Sequence, residues 1–140
     1  MYVKGDCIYP CYDLSQTPLT SDISLVLIRE AGKLPPPTIS VIKSPSHILS
    51  VASNNSKEKT MEMARDVVPR GASVVVVDDV LATGTTLCAV LTLLKEAGVA
   101  AADVSVLVVA EFPVHRGREL LRRRGFGGAK VQSLLIFGGA

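Results

Sequence analysis

VVVVDDVLATGTT, residues Val74–Thr86, changes its hydrophobic period halfway along. Ser73–Val77 is a run of valines after a serine and predicts a strand buried on both faces. From Gly84 onward Leu87, Val90, Leu91 and Leu94 recur at intervals of three and four, until Gly98 ends the run, which predicts a helix. A parallel strand that passes straight into a helix puts its connecting turn at the carboxyl edge of the sheet, where open α/β folds bind ligands.

That turn carries the chemistry. Asp78 and Asp79 close the strand, and Ala82, Thr83, Gly84, Thr85 and Thr86 open the helix. Small residues and a glycine let backbone N–H groups come close to a phosphate, and the helix start adds unpaired donors and partial positive charge. The hydroxyls of Thr83, Thr85 and Thr86 add donors. The paired carboxylates one turn earlier would repel a phosphate but suit a sugar diol. Together these residues describe a ribose 5-phosphate site. A plain α/β connection needs one capping residue, not two acids after four valines and three threonines around a glycine. A Walker B reading lacks its GxxxxGK[ST] partner, and no GxGxxG occurs.

Outward from the turn the chain alternates strand-like and helix-like segments, the pattern of a parallel α/β sheet. Downstream, Val104–Ala110 reads as a buried strand, His115–Arg124 as a basic helix weakened by Gly117, Gly125–Ala129 as a flexible connection and Val131–Phe137 as a last strand. Upstream, Ser24–Arg29 reads as a buried strand, Glu30–Pro37 as a polar Gly- and Pro-containing segment, and Thr38–Ile42 as a β-branched strand. Ser44–Asn55 has loop chemistry. Ser56 can cap a helix over Lys57–Val68, with Met61, Ala64, Val67 and Val68 on one face, and Pro69–Gly71 stops it. Residues 1–23 read as an irregular arm with a short strand near Cys7–Tyr9. The expected architecture is α/β, an open and mostly parallel sheet with flanking helices, in one domain spanning residues 1–140.

Bulk properties fit that architecture. The chain has 140 residues, 48% of them hydrophobic and only 4% aromatic, so its core is aliphatic. A net charge of +2 is too small to imply nucleic acid. No signal-peptide pattern and no apolar run near the roughly 20 residues that span a bilayer are evident, so a cytoplasmic protein without a membrane partner is expected. Cys7, Cys11 and Cys88 form no CxxC pair, and with only His47 and His115 available no protein-held metal site is expected.

The Val74–Thr86 stretch is similar to the phosphoribosyl-pyrophosphate (PRPP) motif of type I phosphoribosyltransferases. The subfamily the chain resembles most is adenine phosphoribosyltransferase: VLIREAGKLPPPT (Val26–Thr38), EFPVHRGRELL (Glu111–Leu121) and SLLIF (Ser133–Phe137) look like its segments, in the family's order. The resemblance covers about residues 25–137. It implies that Asp78 and Asp79 hold the ribose 2- and 3-hydroxyls of PRPP and act as the catalytic pair. Ala82 through Thr86 would then cradle the 5-phosphate, with Arg29 and Lys33 facing the pyrophosphate or the mouth of the site. It also implies Mg²⁺ as cofactor, a nucleobase as second substrate and a homodimer. The family's first strand and helix and its N-terminal hood have no counterpart in residues 1–23. Where the family's catalytic loop has a Ser-Leu-Glu-Tyr-Gly-like sequence, ISVIKSPSHILSVASNN stands here, offering Lys43, Ser46 and His47. Three readings follow: an active transferase, a non-catalytic PRPP- or nucleotide-binding module, and a truncated product of such an enzyme.

Two further features stand apart. Arg116, Arg118, Arg122, Arg123 and Arg124 read as a solvated helix face, because Glu119 interrupts them and aromatics are scarce. Glu111 ends a strand at the ligand edge, where it would either touch the ligand or cap the next turn.

Overall fold

A computed structural model describes residues 2–5, 24–44 and 59–138. Its strands are β1 Tyr2–Gly5, β2 Ser24–Glu30, β3 Thr38–Lys43, β4 Lys59–Ala64, β5 Val74–Leu81, β6 Val104–Glu111 and β7 Lys130–Ile136. Its α-helices are α1 Thr85–Glu96 and α2 Gly117–Arg123. The strands form one sheet in the order β3-β4-β2-β1-β5-β6-β7.

The α/β class stands, with a refinement in the pairing. β5–β6 and β6–β7 pair in parallel, whereas β1–β2, β1–β5, β2–β4 and β3–β4 pair antiparallel. Two antiparallel steps restore direction, so β2, β3, β5, β6 and β7 all point the same way and only β1 and β4 run against them. The carboxyl ends of β2 and β5 therefore lie at one edge of the sheet.

Two expectations are corrected by the strands that run backwards. Lys57–Val68 was expected to be a helix, but Lys59–Ala64 is β4, with Met61, Glu62 and Met63 all buried. Helical spacing of Met61, Ala64, Val67 and Val68 is a local signal, and it loses to a ladder of six residue pairs with β3 on one side and three with β2 on the other. The N-terminal arm was expected to be irregular, but Tyr2–Gly5 enters the sheet between β2 and β5. The strand expected near Cys7–Tyr9 lies outside the described residues.

The valine run is a strand, but it is not buried on both faces. Val74 and Val76 are fully buried, whereas Val75 is 36% exposed. β6 shows the same alternation, with Val104, Val106 and Val108 buried and Val109 46% exposed. The covered face packs under α1, whose Leu87, Val90, Leu91 and Leu94 are buried as their spacing required. Each such aliphatic side chain stabilises the fold by about 1.5–3 kcal/mol relative to its exposed state. α2 is shorter than expected: Pro113–His115 forms a 3-10 turn, and Arg116, at φ 56°, precedes the first helical residue.

Candidate functional site

The turn from β5 to α1 is built by Gly84. This residue is the helix N-cap at φ 79°, ψ 3°, a left-handed conformation that costs a residue with a Cβ about 1–2 kcal/mol. Having no side chain, it cannot cap the helix itself, and the first turn holds no acidic residue. The first helical bond runs from the Cys88 N–H to the Gly84 carbonyl at 2.8 Å. The N–H groups of Thr85, Thr86 and Leu87 precede that bond and have no acceptor within the helix. They face the carboxyl edge of the sheet with the positive end of the helix dipole behind them. Thr85 is buried and its hydroxyl lies 3.4 Å from that of Thr83.

Asp78 and Asp79 are the next residues back along the chain. Asp78 is partly buried and Asp79 exposed, and the Asp79 N–H donates to Asp78 Oδ1 at 3.0 Å. Burial pushes the Asp78 carboxyl up to about 6, and the neighbouring Asp79 carboxylate adds to the rise against the opposing backbone hydrogen bond. At pH 7 the Asp78 carboxyl is still mainly ionised, and so an acceptor for hydroxyl groups.

Arg29 reaches the same edge through β1. Tyr2 is in register with Leu27 on one side and Val77 on the other, so the residues two positions further on, Arg29 and Asp79, are level with each other. Two strand spacings separate them, about 10 Å. Lys33 lies in the turn after β2, exposed, with its ammonium 4.0 Å from Glu30. The turn itself is pinned by a residue that the sequence reading missed. Glu62, on β4 and 5% exposed, accepts the backbone N–H groups of both Lys33 and Leu34 on one carboxylate oxygen, each at 3.0 Å. A helical assignment hid it, because a strand there would have set Glu62 opposite Arg29.

Glu111 neither touches the ligand edge freely nor caps a turn. It is 5% exposed and bound in bidentate fashion by Arg118, Nε to Oε1 at 2.7 Å and Nη2 to Oε2 at 2.8 Å. Arg118 also donates to the Val131 carbonyl at 3.0 Å and to Ser133 Oγ at 3.2 Å, and the Ser133 hydroxyl donates to Glu111 Oε2. The guanidinium holds the Glu111 carboxyl below the ordinary range, chiefly through these hydrogen bonds. Arg118 is thus tied down and only partly exposed, while Arg116, Arg122, Arg123 and Arg124 are exposed, as expected of the arginine run. Lys43 is half-buried at the end of β3; Ser46 and His47 lie outside the described residues, as do Cys7 and Cys11.

The chain is similar to known proteins along most of its length. A family model described as phosphoribosyl transferase domain matches residues 5–123. The adenine phosphoribosyltransferase of Roseiflexus castenholzii is 41% identical over 104 residues, covering 74% of this chain and 54% of that protein. The Rattus norvegicus enzyme of the same name is 37% identical over 99 residues, covering 71% and 49%. Among solved structures, the Giardia lamblia APRTase complexed with 9-deazaadenine superposes with a TM-score of 0.67 at 27% identity, covering 81% of this chain and 57% of that one. Adenine phosphoribosyltransferase from Thermoanaerobacter pseudethanolicus superposes with a TM-score of 0.61 at 31% identity, covering 80% and 55%. The chain spans about half the length of the curated relatives it matches.

Proposed function

Since this chain belongs to the phosphoribosyl transferase domain family, we propose that it binds PRPP at the β5–α1 turn and transfers ribose 5-phosphate to an adenine-like base, releasing pyrophosphate. The observation that carries this reading is the pairing of an uncapped helix start at Gly84 with two adjacent acids at the end of the preceding strand. The first suits a phosphate, the second a ribose diol, and a single sugar phosphate presents both.

In the reaction, the C1–O bond to pyrophosphate breaks and its electron pair leaves with the pyrophosphate oxygen. A ring nitrogen of the base forms the new bond to C1, and its proton is lost to water. The N–H groups of Thr85 and Thr86 and the neighbouring hydroxyls anchor the 5-phosphate, so the sugar is held while C1 moves between the two groups. Asp78 and Asp79 accept the 2- and 3-hydroxyls, and their negative charge stabilises the cationic character that develops on the ribose ring. Arg29 and Lys33 meet the departing pyrophosphate. Among the described residues no group of three or more carboxylate, histidine or cysteine side chains could hold a metal ion, so Mg²⁺ would come with the pyrophosphate and neutralise its charge.

The relatives named for adenine make a purine the base to try first. A cytoplasmic homodimer completes the proposal. Exposed apolar side chains on β5, β6 and β7, among them Val80, Val109, Leu134 and Ile136, support self-association. Sedimentation at micromolar concentration should then give a dimer; a stable monomer would argue against one.

The principal test is calorimetric titration of the chain with PRPP and Mg²⁺, followed by an adenine assay for nucleotide and pyrophosphate. Binding with turnover is expected, and binding without turnover would leave a PRPP-binding module. The double variant Asp78→Ala, Asp79→Ala should lose most PRPP affinity. If affinity is unchanged, the ribose site is assigned wrongly.

A further inference from the structure

Three consecutive residues at the start of α2 are committed to one task on the back of the phosphate turn. Arg116 adopts φ 56°, unusual for a residue with a side chain, and so turns the chain sharply into the helix. Gly117 is buried against the turn itself. A Cβ there would lie 2.4 Å from the Ala82 carbonyl oxygen, 2.8 Å from Leu81 Cδ1 and 3.2 Å from the Gly84 nitrogen. The contact is reciprocal, for a Cβ on Gly84 would lie 2.9 Å from the Gly117 oxygen. Arg118 then ties the helix to β6 and β7 through Glu111, Ser133 and the Val131 carbonyl.

We infer that Gly117 is a positioning residue for the phosphate turn, with Arg118 as the anchor that keeps it seated. The inference rests on the proposal that Ala82–Thr86 bind the 5-phosphate. Its physical content is a backbone-to-backbone contact that no side chain can enter. Restoring ordinary contact between a Cβ on residue 117 and the Ala82 oxygen needs a displacement of about 1 Å. Two responses are open: α2 retreats, which strains the bidentate Arg118–Glu111 pair, or the turn moves, which turns Gly84 and the N–H groups after it away from the phosphate. Glu111 is buried and its pair with Arg118 is well formed, so the turn is the part that gives.

The contact also explains a glycine that weakens α2 as a helix. A first helical residue has no need of left-handed backbone freedom, and an alanine would favour the helix. The position demands the absence of a Cβ instead, because its neighbour is the loop 33 to 35 residues upstream in sequence (117 − 84 to 117 − 82). Arg118→Lys should act in the same direction and more weakly, since lysine keeps the charge but cannot form the fork.

The test titrates ribose 5-phosphate and, separately, Mg-pyrophosphate into the full chain and its Gly117→Ala, Arg118→Lys and Glu119→Gln variants. Amide spectra of Thr83–Thr86 are recorded without ligand. Gly117→Ala should weaken ribose 5-phosphate binding by roughly tenfold or more, as expected for a misplacement on the ångström scale, and shift those amides in the free protein. Pyrophosphate affinity should be kept. Glu119→Gln, which removes only exposed pairs on α2, should match the unaltered chain. A Gly117→Ala protein with unshifted amides and full affinity overturns the inference, as does an equal loss for both ligands, which would mean general damage. If Gly117→Ala does not fold, Arg118→Lys decides: a selective loss for ribose 5-phosphate supports the inference, and an unselective loss or none overturns it. If the unaltered chain binds no ribose 5-phosphate, the proposed function fails, while the amide shifts still report whether Gly117 sets the turn.

Discussion

The turn after β5 and the turn after β2 open on the same edge of the sheet, yet they are held in shape by different means. The first is assembled from consecutive residues, Asp78 to Thr86, and its form comes from backbone: a left-handed Gly84 and a close approach by Gly117. The second, bearing Lys33, also has a left-handed glycine, Gly32 at φ 86°, and a backbone bond from the Ala31 N–H to the Thr60 carbonyl, but it adds one side chain, the buried Glu62 carboxylate, which stands 29 residues away in sequence. A backbone-built turn tolerates change in most of its side chains and fails at its glycines. A turn that adds one distant carboxylate fails at that carboxylate as well as at its glycine. The pairing also suits the charges at each place, because N–H groups and a helix end recruit an anion without any cationic side chain, whereas the pyrophosphate contact proposed for Lys33 calls for a fixed backbone beneath an exposed side chain.

The sharpest way to break that contrast is Gly84→Ala. The substitution places a Cβ at a φ of 79° and 2.9 Å from the Gly117 oxygen, so both backbone conditions fail together. Left-handed strain of about 1–2 kcal/mol and an overpacking cost of about 1–3 kcal/mol are expected in denaturant unfolding. Ribose 5-phosphate affinity should fall about 100-fold, measured by calorimetry. Affinity close to that of the unaltered chain would mean that side chains, not backbone, build the phosphate turn.

The counterpart on the other side is Glu62. Glu62→Ala leaves the Lys33 and Leu34 N–H groups without their acceptor, at a cost of about 1–3 kcal/mol for each group left buried, reduced here because the turn is only partly buried. A loss of about 2 kcal/mol in unfolding free energy is expected. Glu62→Gln should recover most of it by restoring a carbonyl oxygen. Ribose 5-phosphate binding should stay near its original value in both. A variant that loses ribose 5-phosphate affinity as strongly as Gly84→Ala would show that the two turns are one unit.

The same contrast separates what could be read from the sequence. The strand–turn–helix unit announced itself because its signals are adjacent: valines, two acids, a glycine among threonines, and then leucines at helical spacing. The expected strands at Ser24–Arg29, Thr38–Ile42 and Val104–Ala110 also stand, each local and β-branched. What escaped was set by partners far away in the chain. Lys59–Ala64 has helical spacing and becomes a strand because β2 and β3 flank it. Tyr2–Gly5 carries no strong local signal and is placed by its pairing with β2 and β5. Gly117 looked like a blemish in a basic helix, and only its neighbour across space gives it a reason. Exposure of alternate valines on β5 and β6 was missed because valine-rich runs look alike whichever face is covered.

The smallest expected effect concerns the acid that opens the first turn, and it sets stability against binding at one residue. Burial raises the Asp78 carboxyl from 3.8 to about 6. Between those pH values the folded chain holds a proton that the unfolded chain has released, so stability falls as pH rises through the window and the whole penalty stands above pH 6. Asp78→Asn removes the charge that burial disfavours. Its melting temperature should exceed that of the unaltered chain by about 3 °C at pH 7.5, a gain limited by partial exposure of the site, with the difference shrinking toward pH 4. Binding should run the other way: only the ionised carboxylate is a pure acceptor for the ribose hydroxyls, so affinity for ribose 5-phosphate should climb through pH 6. The ligand's phosphate also titrates near pH 6, and the asparagine variant keeps that contribution, so the difference between the two profiles isolates Asp78. An asparagine variant that is no more stable at pH 7.5, with a parallel binding profile, would mean that the acid is neither disfavoured by burial nor engaged with the sugar. A stable variant with a flattened profile would make Asp78 a residue kept for the ligand at the fold's expense, as functional sites commonly require.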